Sequence, residues 1–231
     1  MKKIAFAFVI IFLALTASHP SKAQSFRLGL TASPSLAWFK PEHDEYTSEG
    51  LRLGFSYGLL SEFILAEQYS FATGINITYF GGKLSYPVSD TTFQGTTYQS
   101  KERTYRLQNM EIPLTLKMKT REIGYNTYFA VFGFGGSVNL RSKGDDRYQP
   151  AAEGSRHTIE DIDIAGDIPL FRISMILGLG LEHSLGGTTA LVGGITFNNG
   201  FTNILTGKDY QGNKDQQARA NYLELSIGIL F

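Results

Sequence analysis

The chain has 231 residues with 21 basic and 21 acidic side chains, 25 glycines, 17 phenylalanines, 12 tyrosines and no cysteine. The length fits one ordinary domain or one barrel. The balanced charge argues against a nucleic-acid partner, which would call for a basic excess or patch, and the missing cysteine excludes a disulfide framework.

The first 23 residues read as an export signal rather than as part of the fold. Lys2 and Lys3 precede the apolar run Ile4–Ala17, and Ser21-Lys22-Ala23 supplies small residues around a cleavage point before Gln24. The apolar run has 14 residues, short of the ~20 that a spanning helix needs. Gln24 is not a cysteine, so no lipid anchor is expected. Taking the three lysines of this leader from 21 basic groups leaves 18 against 21 acids in residues 24–231. That remainder holds no apolar run near 18 residues, so any membrane crossing must be made by strands.

Alternation with a period of two predicts eight β segments, here in chain order: Phe26–Trp38, Leu51–Leu65, Tyr69–Leu84, Thr104–Lys119, Tyr125–Arg141, Leu170–Ser184, Thr188–Asn199 and Asn221–Phe231. Ala66-Glu67-Gln68, Thr120–Gly124 and Leu185-Gly186-Gly187 are short connections. Phe39–Gly50, Ser85–Arg103, Ser142–Pro169 and Gly200–Ala220 are long, polar ones that read as loops, as does the Asp-, Ser- and Gly-rich Lys143–Gly154. Strict alternation of short and long is the habit of outer-membrane barrels, with tight periplasmic turns on one side and extended extracellular loops on the other. The expected fold is therefore all-β: an eight-stranded antiparallel up-and-down transmembrane barrel occupying residues 24–231.

Each segment has one apolar face, such as Leu53, Phe55, Tyr57 and Leu59, or Ile173, Leu177, Leu179 and Leu181. The opposite faces carry Arg27, Arg52, Glu62, Glu111, Lys117, Arg172, Glu182 and Glu224. A basic side chain facing lipid near the midplane costs ~2–4 kcal/mol, so these four bases and four acids are expected to neutralise one another in the lumen. Eight strands leave an interior that side chains can fill; a plugged, ionic core without an open pore follows. Pro113 lies in the middle of the fourth segment, "LQNMEIPLTLKMK". Because proline cannot donate to a ladder, a bulge or a missing ladder bond is expected there.

"MEIPLTLKMK", "GLRLGFSYGLL", "FATGINITYF" and the terminal "LELSIGILF" resemble the outer-membrane β-barrel domain common in Bacteroidetes, whose members are labelled porin-family or PorT-family proteins. The resemblance covers residues 24–231 and implies an OmpA/OmpX-like barrel in the outer membrane. It also implies that Leu225, Ile227, Ile229 and Phe231 form a signal read by the barrel-assembly machinery. The partners to expect are that machinery, outer-membrane lipid and lipopolysaccharide, and secretion-complex or surface partners. No nucleic acid and no cofactor are expected.

Few residues suggest chemistry. His43, beside Glu42, Asp44 and Glu45, reads as a solvated charge run rather than a cation site. "IEDIDIAGD" offers Glu160, Asp161, Asp163 and Asp167 without the Gly and terminal Glu of a calcium loop; an outer strand or turn with an acidic rim is expected. His157 reads as a loop histidine with no evident partner. In "EHS", His183 has the opposite parity to Glu182 and Ser184, which separates a base from its nucleophile. Trp38, Tyr79, Phe80, Tyr125, Tyr128 and Tyr222 lie near strand ends, where interfacial aromatic belts form. The reading is a non-enzymatic barrel with binding left to its loops. The alternatives are a soluble lipocalin-like barrel with its faces reversed and a lipid-modifying enzyme.

Overall fold

A computed structural model describes residues 26–42, 45–93, 96–150, 155–206 and 216–231. The expected export signal up to Ala23, and His43 with Asp44, lie outside these residues. The strands are β1 (Phe26–Pro41), β2 (Thr47–Ser48), β3 (Arg52–Ala66), β4 (Tyr69–Phe93), β5 (Thr96–Lys119), β6 (Asn126–Pro150), β7 (His157–Asp163), β8 (Phe171–Gly186), β9 (Thr189–Gly200) and β10 (Ala218–Leu230).

Eight of them, all but β2 and β7, form a closed antiparallel barrel, each paired with its neighbour in the chain. The seam between first and last strands runs from Gly29 opposite Leu230 to Pro41 opposite Ala218. The eight expected segments fall one for one on these strands. Closure gives edge amides partners, which a wall surrounded by hydrocarbon demands. At one end the connections are tight. The β8–β9 hairpin turns at Gly186 and Gly187, whose φ angles of +105° and +62° suit glycine.

The other end departs from expectation. Ser85–Arg103 is not a loop: β4 and β5 continue as a hairpin until Phe93 pairs with Thr96. Lys143–Pro150 is likewise strand, paired on one side with β5 and on the other with β7. β2 adds to β4 at Thr47 opposite Ser85. A sheet of β2, β4, β5, β6 and β7 thus rises past the barrel on one side. Threonines and tyrosines favour this extended backbone, but with polar residues on both faces it carries no period-two signal.

Where the extension meets the barrel, an apolar plug fills the mouth. Phe39, Leu84 and Tyr105 from the strands meet Ile164 and Ile204 from the connections around β8 and β9. Phe80 and Tyr222 belong to this plug, 3% and 1% exposed, with ring centroids 5.6 Å apart. They are therefore not belt aromatics: Phe80 has the opposite parity to outward-facing Tyr79. Trp38 does lie on the outer wall, 6.1 Å from Phe197.

Pro113 produces no bulge. It pairs with Gly135 of β6, while the β4–β5 ladder skips Gly74 and Ile75 and resumes in the same register at Asn76 opposite Glu111. Pro34 does the same on β1: it pairs with Phe55 of β3, and the ladder to β10 skips it between Ala32 and Ser35. Each proline turns its missing donor towards one neighbour and leaves the other ladder continuous.

Closure can be tested by cross-linking, because the chain has no cysteine. Leu36 and Leu223 face outwards and are direct partners across the seam. Directly opposed residues lie within disulfide reach. Leu36→Cys/Leu223→Cys should oxidise to an intramolecular disulfide, whereas the off-register pair Leu36→Cys/Leu225→Cys should keep its thiols. Equal oxidation of both would contradict this register.

Candidate functional site in the barrel lumen

Within the wall, residues of one parity turn inwards and form two polar clusters. The first lies near the tight turns. Glu62 and Glu182, from β3 and β8, receive Arg27, Lys117 and Lys119 from β1 and β5. Arg27 Nη1 donates to Glu182 Oε2 at 2.8 Å, Lys117 Nζ lies 3.4 Å from Glu62 Oε2, and Lys119 Nζ lies 3.0 Å from Glu182 Oε1. Lys117 also contacts Glu182, and Lys119 also contacts Glu62. Ser70 Oγ donates to Glu62 at 2.5 Å, and Lys117 sits 4.3 Å above the Phe129 ring. Glu62 is fully buried and Lys117 is 3% exposed. Lys119, of the same parity as Lys117, completes this cluster from the end of β5, though it is not among the eight charges expected in the lumen.

The second cluster lies under the apolar plug. Glu111 accepts from the Tyr222 hydroxyl at 2.7 Å and from Asn198 Nδ2 at 3.3 Å, and Arg172 Nη1 is 3.5 Å away. Arg172 donates to Asn198 Oδ1 at 2.6 Å and to the Ala220 carbonyl at 3.0 Å, with its guanidinium over the Phe80 and Tyr222 rings. Glu224 accepts from Ser56 Oγ at 2.7 Å. Between the clusters remains a cavity of about 140 Å³, with Lys117 at one side and Glu111 and Glu224 at the other. Three cations and two carboxylates near the turns face one cation and two carboxylates beneath the plug. The lumen is balanced in sum and polarised along its length.

Arg52 takes no part in either cluster. Arg52 keeps its pairing with Ala37 of β1, but the β3–β4 ladder stops at Phe55 opposite Tyr79, and beyond that point its side chain reaches across to Gly81 of β4 and the groove it shares with Arg106. The acidic segment forms β7 and a 3₁₀ turn at Ala165–Asp167, in which Asp161 pairs with Arg106 and Lys143, Asp163 accepts from Ala165 N, and Asp167 pairs with Arg103. Arg103 grips Asp146 with Nε and Nη2 at 2.5 and 2.8 Å and reaches Asp167 at 2.8 Å, while Lys101 is 3.2 Å from Asp146. Burial pushes the Asp146 carboxyl up, but hydrogen bonds and charge from Arg103, with Lys101, hold it below its ordinary value. Burial raises the neighbouring Tyr86 hydroxyl to about 12. Among the described residues no three His, Asp or Glu side chains converge as a metal would require.

His157 has partners after all: its ring lies 6.3 Å from Tyr98 and 6.2 Å from Tyr148. His183 is exposed on the outer wall, 2.8 Å from Asn126 Oδ1, while Glu182 turns inwards. His183 and Ser184 therefore do not form a nucleophile–base pair.

A closed barrel with an apolar outer wall and a charge-compensated lumen is the architecture of an outer-membrane protein. The chain belongs to the outer membrane protein beta-barrel domain family, whose model matches residues 22–206. A search of curated proteins finds no match. Among solved structures, it is similar to Neisserial surface protein A at 14% identity, covering 88% of this chain and 95% of that one, with a TM-score of 0.40. It is similar to OprG from Pseudomonas aeruginosa at 7% identity over 89% and 95%, TM-score 0.44. Ail, the attachment invasion locus protein of Yersinia pestis, shares 10% over 89% and 98%, TM-score 0.37.

Two predictions follow from these charges. Glu62→Met leaves Arg27, Lys117 and Lys119 facing Glu182 alone and should cost ~3–5 kcal/mol in urea unfolding, with Glu62→Met/Lys117→Met recovering part of the loss; no change in the single variant would contradict the pairing. Asp146 titrates below its ordinary 3.8 in the folded state. Its contribution is complete above that pH and disappears as pH falls through the lowered value. Protection factors of amides in the extension around Asp146 should therefore fall below about pH 3.8, and Asp146→Asn should flatten the dependence.

Proposed function

We propose that this is a non-enzymatic integral outer-membrane protein whose filled barrel anchors the outer sheet and loops, leaving them available for surface binding or an accessory role in transport or secretion. The single observation that carries this reading is the inversion of a soluble protein. Leu53, Leu179 and Ile227 are 79%, 70% and 57% exposed, while Glu62, Lys117 and Arg172 are at most 4% exposed. A lipocalin-like barrel would need the reverse. The long connections then face the cell exterior and the tight turns the periplasm.

The export signal ending at Ala23 and the assembly signal at Leu225, Ile227, Ile229 and Phe231 belong to the same proposal. Outward-facing Leu225, Ile227 and Phe231 support the latter. The finer kinship with PorT-type proteins, carried by Glu111-Ile112-Pro113, also belongs here.

A filled lumen is tested by recording purified protein in planar bilayers. Steady large conductance from the intact chain would defeat this reading. Occasional small events that become steady only on Tyr105→Ala/Tyr222→Ala, which empties the plug, would support it.

A further inference from the structure

The outer wall carries a basic groove of about 340 Å³, lined by Arg52, Arg106, Arg141 and Lys143 with Leu53 and Tyr79 at its edge. Its position is set by four adjacent strands. Outward apolar residues end at Leu53 on β3, Tyr79 on β4, Ile112 and Met110 on β5, and Leu140 on β6. The groove begins where they stop. Gly81 stands opposite Arg106, and a side chain there would meet Arg52 Cδ at 3.1 Å, so this glycine leaves the space through which Arg52 approaches.

The charges in the groove are poorly compensated. Arg106 and Lys143 are direct cross-strand partners, as are Gln108 and Arg141. Like charges placed opposite each other are destabilising. Arg106 pairs with Asp145 at 2.8 Å and Asp161 at 3.1 Å, and Lys143 lies 3.7 Å from Asp161. Four cations thus share two carboxylates, and Arg52 and Arg141 form no ion pair among the described residues.

We propose that this groove binds the phosphate of an anionic lipid in the leaflet at the loop end, with Arg52 and Arg141 as its unpaired guanidinium donors. Guanidinium is the side chain suited to bidentate phosphate recognition. A lipid is favoured over a free anion because Leu53 and Tyr79 belong both to the groove and to the apolar wall, so a headgroup seated there keeps its chains on that wall. The inference rests on the lipid-facing reading of the outer wall given above.

The test is lipid retention, read by native mass spectrometry on the full chain inserted into phosphatidylcholine membranes doped with diphosphoryl lipid A or with the same lipid stripped of phosphate. The wild-type chain should keep the phosphorylated lipid at least about tenfold better. Arg52→Gln/Arg141→Gln should erase that preference, while Arg219→Gln, an exposed arginine paired with Glu42 elsewhere, should retain it. Equal retention of both lipids by the wild type, an unaltered preference in the double variant, or displacement by inorganic phosphate at equal concentration would overturn the proposal. A chain that does not enter the membrane at all would overturn the lipid-facing reading, and the groove with it. One that enters and shows no preference would overturn the groove alone.

Discussion

The hydrogen-bonded seam between β1 and β10 is the constraint from which the rest of this molecule follows. Once Gly29 to Pro41 are matched with Leu230 to Ala218, the sheet has an inside and an outside. Successive side chains must then choose between them. The choice is made by solvation. Leucine, isoleucine and phenylalanine go where hydrocarbon is the solvent, and ionisable groups go where other ionisable groups can replace water.

That replacement is demanding. A lone buried charge is far more costly than a matched one, and the lumen meets the demand by convergence of strands from opposite sides of the barrel. Arg27 and Glu182 are 155 residues apart in sequence, and Lys117 and Glu62 are 55 apart. Tyr222 and Asn198 complete Glu111 in the same manner. Above them, aromatic and aliphatic side chains close the mouth, so the barrel ends in a dry cap instead of an aqueous vestibule. The outer sheet is held onto this cap by Arg103, Asp146 and Asp167.

The strands of the wall were legible because lipid enforces alternation along them. Counting in twos from Leu53 or Ile173 gives both the segment and its orientation. Beyond Leu84 and before Thr104 lipid no longer enforces that pattern: the buried face is made of Tyr86, Tyr98 and paired charges in place of aliphatic residues, and paired strand reads as loop. Parity assigns Glu62, Glu111, Lys117, Arg172 and Glu182 to the inner face; their mutual partners are set by barrel geometry, which a linear reading does not contain. Arg52 departs from its parity. It is the first residue of β3, still paired with Ala37 of β1 but past the last β3–β4 pair, so a long side chain there can leave the side its backbone assigns. The plug was missed for a related reason: Ile164 and Ile204 come from connections with no repeat to count.

Pro34 and Pro113 have a mechanical consequence. Each weakens a different junction in the wall, β10 to β1 and β4 to β5, and these two junctions divide the cylinder into a narrow panel of β1, β3 and β4 and a broad one of the remaining five staves. Axial lines with fewer cross-links are where a closed shell yields first. When this barrel flexes, the two panels shift against each other along those lines, and amide protons bordering them exchange before those inside either panel.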